Sequence, residues 1–389
     1  MQHDFDLPIP RRHSNCVKWD SPEAANALPM WVADMDFRVA QPIIDALHRR
    51  VEHGVFGYTI VPDEYYEAVI SWFARRHHWH IEREWMLYTS GVVPALSATI
   101  KALAAPGEKV LIQTPVYNCF FSSIRNNGCI IVENPLIPEE GTYHIDFDDL
   151  ERKAADPQTK LLVFCNPHNP VGRVWTAEEM ERVNTICLHN GVKVVTDEIH
   201  CEVVMPGYKY TPFASVSAEC LDNSITLNSP SKSFNIASLQ IANIISNNAE
   251  TLQRIDRAIN INEICDVNPF GVVGTIAAYN ECEYWIEQLC PYLNTNYEML
   301  RSTIEQSLPK LKLTRLEGTY LAWIDIRGLN LSSDEVKNLL LEQALVLVNS
   351  GTMYGDTAGE GYIRLNLACP HHYLREALSN ICKTLSQKS

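Results

Sequence analysis

Between residues 109 and 247 the chain alternates short runs of β-branched residues with amphipathic stretches. Such alternation is typical of a mostly parallel β-sheet covered by helices on both faces, the α/β fold class. The stretch 176–191 starts with a threonine, continues with acidic residues and ends in glycine, and it therefore predicts a helix between two strands. The runs that predict strands are KVLIQTP (109–115), CIIVENP (129–135), KLLVFCNP (160–167), VKVVTDE (192–198), SITLNS (224–229) and IANIISN (241–247).

After about residue 285 the pattern changes to long helical stretches with a few strands, TYLAWIDI (319–326), ALVLVNS (344–350) and YIRLNLA (362–368). This change predicts a separate, smaller α+β domain. A chain of 389 residues is long enough for two domains, and the N-terminal arm is too short to fold alone. We therefore predict a large domain over 48–285 and a small domain formed by 1–47 together with 286–389.

Composition narrows the possible functions. Acidic residues outnumber basic ones by 47 to 32, and the resulting net charge of -15 makes nucleic acid an unexpected partner. Because no run of about 18 apolar residues occurs and MQHDFDLPIPRRH is not a leader peptide, we expect no membrane association and a cytoplasmic location. The twelve cysteines include no C-x-x-C pair, and HHWH (77–80) lacks partners at ligand spacing. We therefore expect neither a disulfide framework nor a metal site.

Polar residues follow several predicted strands, where open α/β sheets bind their ligands. Tyr117 follows the first run, and the segments 166–169, 197–200 and 229–232 end three others. The nucleotide-binding patterns G-x-G-x-x-G and G-x-x-x-x-G-K-[ST] are absent from the sequence, so another chemistry is needed. A lysine at such an edge, opposite an aspartate, can form a Schiff base with a carbonyl cofactor.

Each of these residues also has a purely structural interpretation. The prolines around Asn169 make NPHNPVG (166–172) a rigid turn, Asp197 can cap the element after its strand, and most lysines are simply solvated. Their combination is more specific than any one of them. Lys232 lies in an S-x-S-K motif, Asp197 lies 35 residues before it, and Asn169 lies a further 28 residues earlier.

This combination resembles the fold type I pyridoxal phosphate (PLP) enzymes of the aspartate aminotransferase fold, and the resemblance extends over nearly the whole chain. Within that fold the chain is most similar to the cystathionine β-lyase and cystalysin (C–S lyase) group of the class I/II aminotransferases. The segments that carry the resemblance are KWD (18–20), LPMWVADMDF (28–37), FGYT (56–59), TSGVVPAL (89–96), TPVYNCF (114–120), NPHNPVG, TDEIH (196–200), SPSKSFN (229–235), EGTYLAW (317–323) and YIRLNLA.

The resemblance implies a role for five residues around the ring of PLP. Lys232 carries the cofactor and, once substrate displaces it, moves the Cα proton. Asp197 pairs with the ring nitrogen, Asn169 donates to the phenolate oxygen, and Tyr117 lies on the ring face. His200 bonds the phenolate side of the ring. For Tyr117 and His200, an interior packing role is the alternative interpretation.

The phosphate group and the substrate involve further residues in the same resemblance. The backbone N–H groups of Gly91 and Val92 and the hydroxyls of Ser229 and Ser231 bind the phosphate. Tyr58 reaches that phosphate from a second subunit, which implies a homodimer with a shared active site.

Arg364 is expected to clamp the substrate carboxylate with its planar fork, although an arginine on an edge strand is the structural alternative. Tyr320 and the arm near Asp36 and Phe37 are expected to shape the substrate pocket. One departure from many aminotransferases is Gln240, which stands where they have a phosphate-binding arginine. The lyase group also tends to lack that arginine.

These assignments predict α,β-elimination of L-cystathionine or a related cysteine S-conjugate to a thiol, pyruvate and ammonia. An amino acid aminotransferase is the alternative, because the same Cα carbanion leads to transamination when it is protonated on the cofactor. An alternative of another class is a PLP-containing regulator that binds a protein partner.

Overall fold

A seven-stranded sheet forms the centre of the computed structural model, which describes residues 2–261 and 266–386. The strands are, in chain order, β1 (Leu28–Pro29), β2 (Met86–Thr89), β3 (Lys109–Ile112), β4 (Ile130–Glu133), β5 (Ile137–Glu139), β6 (Thr142–His144), β7 (Thr159–Cys165), β8 (Lys193–Asp197), β9 (Ser224–Asn228), β10 (Ala242–Ile245), β11 (Lys312–Leu313), β12 (Leu321–Asp325), β13 (Val346–Leu347), β14 (Asn349–Ser350) and β15 (Tyr362–Asn366).

The central sheet has the strand order β2-β10-β9-β8-β7-β3-β4, and all its strands are parallel except β10, which is antiparallel to both of its neighbours. The predicted α/β fold with a mostly parallel sheet is therefore confirmed. Each of the six runs predicted between residues 109 and 247 forms a strand of this sheet. Strand β2 was not predicted, because its four residues lie outside the alternating region and pair with β10 from more than 150 positions away.

The helices surround this sheet and continue beyond it. They are α1 (Val17–Asp20), α2 (Gln41–Glu52), α3 (Asp63–His77), α4 (Val92–Leu103), α5 (Asn118–Asn126), α6 (Phe147–Ala154), α7 (Ala177–His189), α8 (Ala218–Asn223), α9 (Ala249–Asn260), α10 (Pro269–Glu281), α11 (Glu283–Ser307), α12 (Ser333–Leu339) and α13 (His371–Leu385). The predicted helix at 176–191 corresponds to α7. It begins with a capping box in which the Glu179 N–H donates to the Thr176 hydroxyl and the Thr176 N–H donates to the Glu179 carboxylate.

A second, antiparallel sheet has the order β11-β12-β15-β14. The run ALVLVNS, predicted as one strand, is divided: β13 pairs in parallel with β1, and β14 pairs with β15. The N-terminal arm is thereby joined to the C-terminal part of the chain. These contacts support the proposed division into 48–285 and a smaller unit of 1–47 with 286–389, of which residues 1, 262–265 and 387–389 lie outside the described residues.

Strands β7, β8 and β9 are almost entirely buried, so the polar residues that follow them face the interior of the protein. The eleven cysteines in the described ranges are all free thiols. Within residues 2–261 and 266–386, no helix is long and apolar enough to cross a membrane. The same part of the chain contains no group of three or more His, Cys, Asp or Glu residues arranged to hold a metal ion.

Candidate active site

A cavity of about 200 Å³ opens at the carboxyl ends of β7 and β8. It brings together eight of the residues singled out in the sequence, namely Gly91, Val92, Tyr117, Asn169, Asp197, His200, Ser231 and Lys232. Of the other six, Arg364 donates to Asn169, Ser229 accepts the Ser231 N–H, and Tyr320 donates to the peptide oxygen of the cavity residue Ala33. Asp36, Phe37 and Tyr58 lie elsewhere.

Asp197 is the last residue of β8 and is buried between Cys165 on β7 and Leu227 on β9. The Ile199 backbone N–H donates to Asp197 Oδ1 at 3.1 Å, which fixes the direction of the carboxylate. Burial raises the pKa of Asp197 to about 6, against the opposing effects of the Ile199 hydrogen bond and the charge of Lys232. A positively charged partner in the cavity would therefore stabilise the buried Asp197 carboxylate, which has lost its contact with water.

Lys232 projects into the cavity from the turn after β9, and its Nζ donates to the peptide oxygen of Ala33 at 2.7 Å. Burial lowers its pKa, and the nearby charge of Arg364 lowers it further. The carboxylates of Asp34 and Asp197 act in the opposite direction. The net effect is a lower pKa than that of an exposed lysine, which favours the neutral amine. The neutral form is the one that forms a Schiff base or accepts a proton.

Arg364 lies on β15, and two arms of its guanidinium are already engaged. Nη1 donates to Asn169 Oδ1 at 3.1 Å, and Nη2 donates to the Trp31 peptide oxygen at 2.8 Å. The third nitrogen, Nε, is buried and has no partner among the described residues. Because a buried unpaired N–H is costly, this geometry favours an anionic ligand beside the fixed fork.

His200 and Tyr117 form other parts of the cavity wall. His200 is buried, and its Nδ1 has no hydrogen-bond partner within the described part of the chain. Burial lowers the pKa of His200 well below its usual value, with the charges of Lys232 and Arg364 adding to the effect, so the ring is neutral near pH 7. Burial also raises the pKa of Tyr117, which keeps its phenol protonated.

The start of α4 also lines the cavity. Gly91 is the N-cap of this twelve-residue helix and Val92 is its first residue, so the N–H groups of the first turn are suited to bind an anion. Ser231 lines the same region. Ser229 does not, because its hydroxyl donates to the Ile241 peptide oxygen and accepts the Ser231 N–H at 3.1 Å. The structure thus gives Ser229 a role in supporting the turn.

Asp36 was expected at the substrate pocket, but its carboxylate is used within the N-terminal arm. Lys18 Nζ and Trp19 Nε1 each donate to it at 2.7 Å, and Arg11 Nη1 donates at 2.6 Å. The physical reason is that a carboxylate that is only 3% exposed needs charged and hydrogen-bonded partners. The side chain of Asp36 is therefore directed toward these partners and away from the cavity.

Phe37 is likewise packed away from the cavity, with its ring centroid 5.0 Å from that of Phe5 and 5.5 Å from that of Tyr292. Apolar packing within the core explains this placement better than contact with a substrate. Tyr58 is 98% exposed, so the described part of this single chain does not surround it.

Ala33 is a cavity residue that the sequence reasoning missed, since an alanine has no chemistry of its own and contributes only its peptide oxygen. Tyr320 donates its hydroxyl to that same oxygen at 2.9 Å. Ala33 lies inside the quoted segment LPMWVADMDF, so the resemblance contained a signal for this region. The prediction named Asp36 and Phe37, however, whereas the residue that lines the cavity is Ala33, three positions before Asp36.

The chain matches the model of the family described as "Aminotransferase class I and II" over residues 33–381. It is 39% identical to cystathionine beta-lyase PatB of Bacillus subtilis (strain 168), over 98% of this chain and 100% of that protein. Among solved structures it is similar to cystalysin from Treponema denticola, which contains a pyridoxal 5'-phosphate cofactor, with a TM-score of 0.96, 34% identity and complete coverage of both chains. A PLP-bound protein of Clostridium difficile 630 that bears an aminotransferase name has a TM-score of 0.96 and 40% identity, over 99% of this chain and 100% of that one.

The resemblance to the cystathionine β-lyase and cystalysin group is thus confirmed over the full length of the fold. The chain belongs to the class I and II aminotransferase family.

Proposed function

We propose that the protein is a PLP-dependent C–S β-lyase that converts L-cystathionine or a related cysteine S-conjugate to a thiol, pyruvate and ammonia. The observation that carries the proposal is the convergence of the Lys232 amine and the Asp197 carboxylate on one buried cavity, in a chain similar to PatB and cystalysin. A pyridine aldehyde cofactor needs a neutral amine for its Schiff base and a carboxylate beside its ring nitrogen, and burial lowers the pKa of the Lys232 amine toward the first of these states.

The residues of the cavity fit PLP. Asp197 would hold the ring nitrogen protonated, and a cation there would offset the cost that burial imposes on its carboxylate. His200 Nδ1, buried without a partner in the described chain, would meet a polar group of the ring. The first turn of α4, beginning at Gly91 and Val92, would take the phosphate together with Ser231. When bound, PLP supplies an electron sink for the pair released from the Cα–H bond.

Lys232 acts as the base in this proposal. Its neutral Nζ accepts the Cα proton, and burial lowers the pKa of the amine, which favours the neutral form that this transfer needs. The electron pair left at Cα then expels the thiolate from Cβ, and water later releases ammonia and pyruvate from the remaining three-carbon fragment.

Arg364 would bind the substrate carboxylate through its unpaired Nε. Its two other arms, held by Asn169 and Trp31, fix the plane of the fork before substrate arrives. Tyr320, fully buried and hydrogen-bonded to the Ala33 oxygen, closes the same side of the site.

The homodimer with a shared active site also belongs to this proposal. Large apolar side chains are exposed in close sequence proximity before α3: Val55 is 63% exposed, Phe56 57%, Tyr58 98% and Ile60 80%. Exposed apolar groups at this density favour coverage by another protein surface. A second copy of the chain would cover them and bring Tyr58 to the phosphate end of the partner's cavity. We further propose that the enzyme works in the cytoplasm on a small amino acid substrate, bound to neither nucleic acid nor membrane.

The test is pyruvate release from L-cystathionine without an added keto acid, with Lys232→Ala as the inactive control. Elimination returns PLP unchanged, so pyruvate should accumulate over many turnovers. The aminotransferase name of the Clostridium difficile relative supports transamination as the second candidate. Accumulation of one equivalent of pyridoxamine phosphate, with turnover only when a keto acid is present, would replace the lyase proposal with that one.

A further inference from the structure

The segment 31–35, in the arm before α2, is held in place by its peptide oxygens. Five consecutive carbonyls each accept a hydrogen bond from at least one side chain that lies outside the segment. The donors are Arg364 and Asn349 for Trp31, Asn366 for Val32, Lys232 and Tyr320 for Ala33, Asn366 and Lys18 for Asp34, and Arg11 and Asn235 for Met35.

Asn366 fixes the middle of this segment. Its Nδ2 donates to the Val32 oxygen at 2.6 Å and to the Asp34 oxygen at 2.7 Å, so a single amide spans the peptide groups on both sides of the Ala33 carbonyl. Because peptide groups are planar, holding both neighbours leaves the Ala33 oxygen little freedom to turn. Asn366 is 1% exposed and lies two residues after Arg364 on β15, so both side chains project from the same face of the strand.

The Ala33 oxygen is thereby directed at Lys232. It accepts from Lys232 Nζ at 2.7 Å and from the Tyr320 hydroxyl at 2.9 Å, so both of its lone pairs are used. A carbonyl differs from a carboxylate in carrying no net charge. It therefore orients the amine by accepting one N–H, and it favours the protonated amine less than a carboxylate would.

We propose that the Ala33 peptide oxygen is the docking point of the Lys232 amine whenever that amine is not covalently bound to cofactor, and that Asn366 is the positioning residue that keeps the docking point in place. This inference rests on the proposed function in so far as it concerns Lys232 acting as a base.

The docking contact fits the proton transfer. A neutral amine that donates one N–H to Ala33 still has its lone pair available for the substrate. When the Cα–H bond breaks, its electron pair stays on the substrate side and the proton forms a new N–H bond on Nζ. The Ala33 oxygen then accepts from an ammonium group, and this hydrogen bond is stronger because the donor is charged.

The test compares Asn366→Ala with Asn296→Ala. Asn296 is a matched control, because its Nδ2 also bridges two peptide oxygens, those of Leu367 at 2.8 Å and Cys369 at 2.9 Å, and it is equally buried. The reactivity of Lys232 toward acetic anhydride is followed by mass spectrometry as a function of pH, on the full-length protein freed of cofactor. Circular dichroism verifies the fold of each variant.

In Asn366→Ala the labelling pKa of Lys232 should fall below that of the wild type, because the charged form loses a well-placed acceptor. In the reconstituted enzyme kcat should drop about tenfold to hundredfold while KM changes little, as expected for one misplaced hydrogen bond to a charged group. Asn296→Ala should keep the wild-type pKa of Lys232. Asn366→Ser, which is small and keeps one donor, should shift that pKa in the same direction by a smaller amount.

A wild-type labelling pKa in natively folded Asn366→Ala, or in Asn366→Ser if only that variant folds, overturns the docking role. The labelling does not depend on which reaction the enzyme performs. If wild-type protein forms no pyruvate from cystathionine and the pKa of Lys232 still falls in these variants, the docking point stands and the lyase proposal fails.

Discussion

Asp197→Asn should stabilise the cofactor-free protein at pH 8 while abolishing its catalysis. The pKa of Asp197 is raised from 3.8 to about 6 by burial, so the folded chain holds this carboxyl as an anion at pH 8 at a cost. A difference of about two pKa units corresponds to about 3 kcal/mol of lost stability. Asparagine removes the charge and keeps an oxygen that can accept the Ile199 N–H.

The pH dependence of this effect has a definite sign. A carboxyl whose pKa is higher in the folded state contributes its full stability below pH 3.8, and that contribution is lost as the pH rises through about 6. The advantage of Asp197→Asn should therefore be about 3 kcal/mol at pH 8 and roughly half of that at pH 5.

The assay is urea unfolding of cofactor-free protein at both pH values, with Asp36→Asn as the matched control. Asp36 is equally buried but is paired with Lys18 and Arg11, so the same substitution should destabilise by about 3 to 5 kcal/mol, because it leaves buried cations without their partner. If Asp197→Asn lowers the free energy of unfolding at pH 8 as Asp36→Asn does, the reasoning from burial is refuted.

Three other variants test the remaining roles. Lys232→Ala should lose the visible absorbance of lysine-bound cofactor, and a borohydride-reducible bond elsewhere in the chain would contradict the assignment. Arg364→Ala should lower kcat/KM by a factor that corresponds to about 2 to 5 kcal/mol, because a substrate carboxylate would be buried without its partner. A wild-type kcat/KM in Arg364→Lys would argue against recognition by the planar fork. Tyr58→Ala should weaken PLP binding, measured by equilibrium dialysis. Mixed dimers of this variant with Lys232→Ala should regain one active site. A fully active monomer at high dilution would exclude an active site shared between two subunits.

The local pattern of the sequence was enough to locate the strands and helices around the site. The β-branched runs form β3, β4, β7, β8, β9 and β10, and the threonine cap and terminal glycine bound α7. Since parallel strands end at a common edge, the positions of Asp197 and Lys232 after their strands also indicated that they converge. These inferences depend on periodicity and on short-range capping, which are properties of neighbouring residues.

Tertiary structure decided which polar groups are free to react. The sequence could not distinguish Asp197 from Asp36, since both are aspartates in apolar surroundings. In the described chain, however, Asp36 is paired with Lys18 and Arg11, while Asp197 accepts the Ile199 N–H and faces the cavity. In the same way, the Ser229 hydroxyl donates to the Ile241 peptide oxygen. The amine of Lys232 donates to the Ala33 peptide oxygen and not to a side chain. The physical reason is that the availability of a buried polar atom depends on the partners that folding brings to it, and here those partners come from up to 199 positions away in the chain.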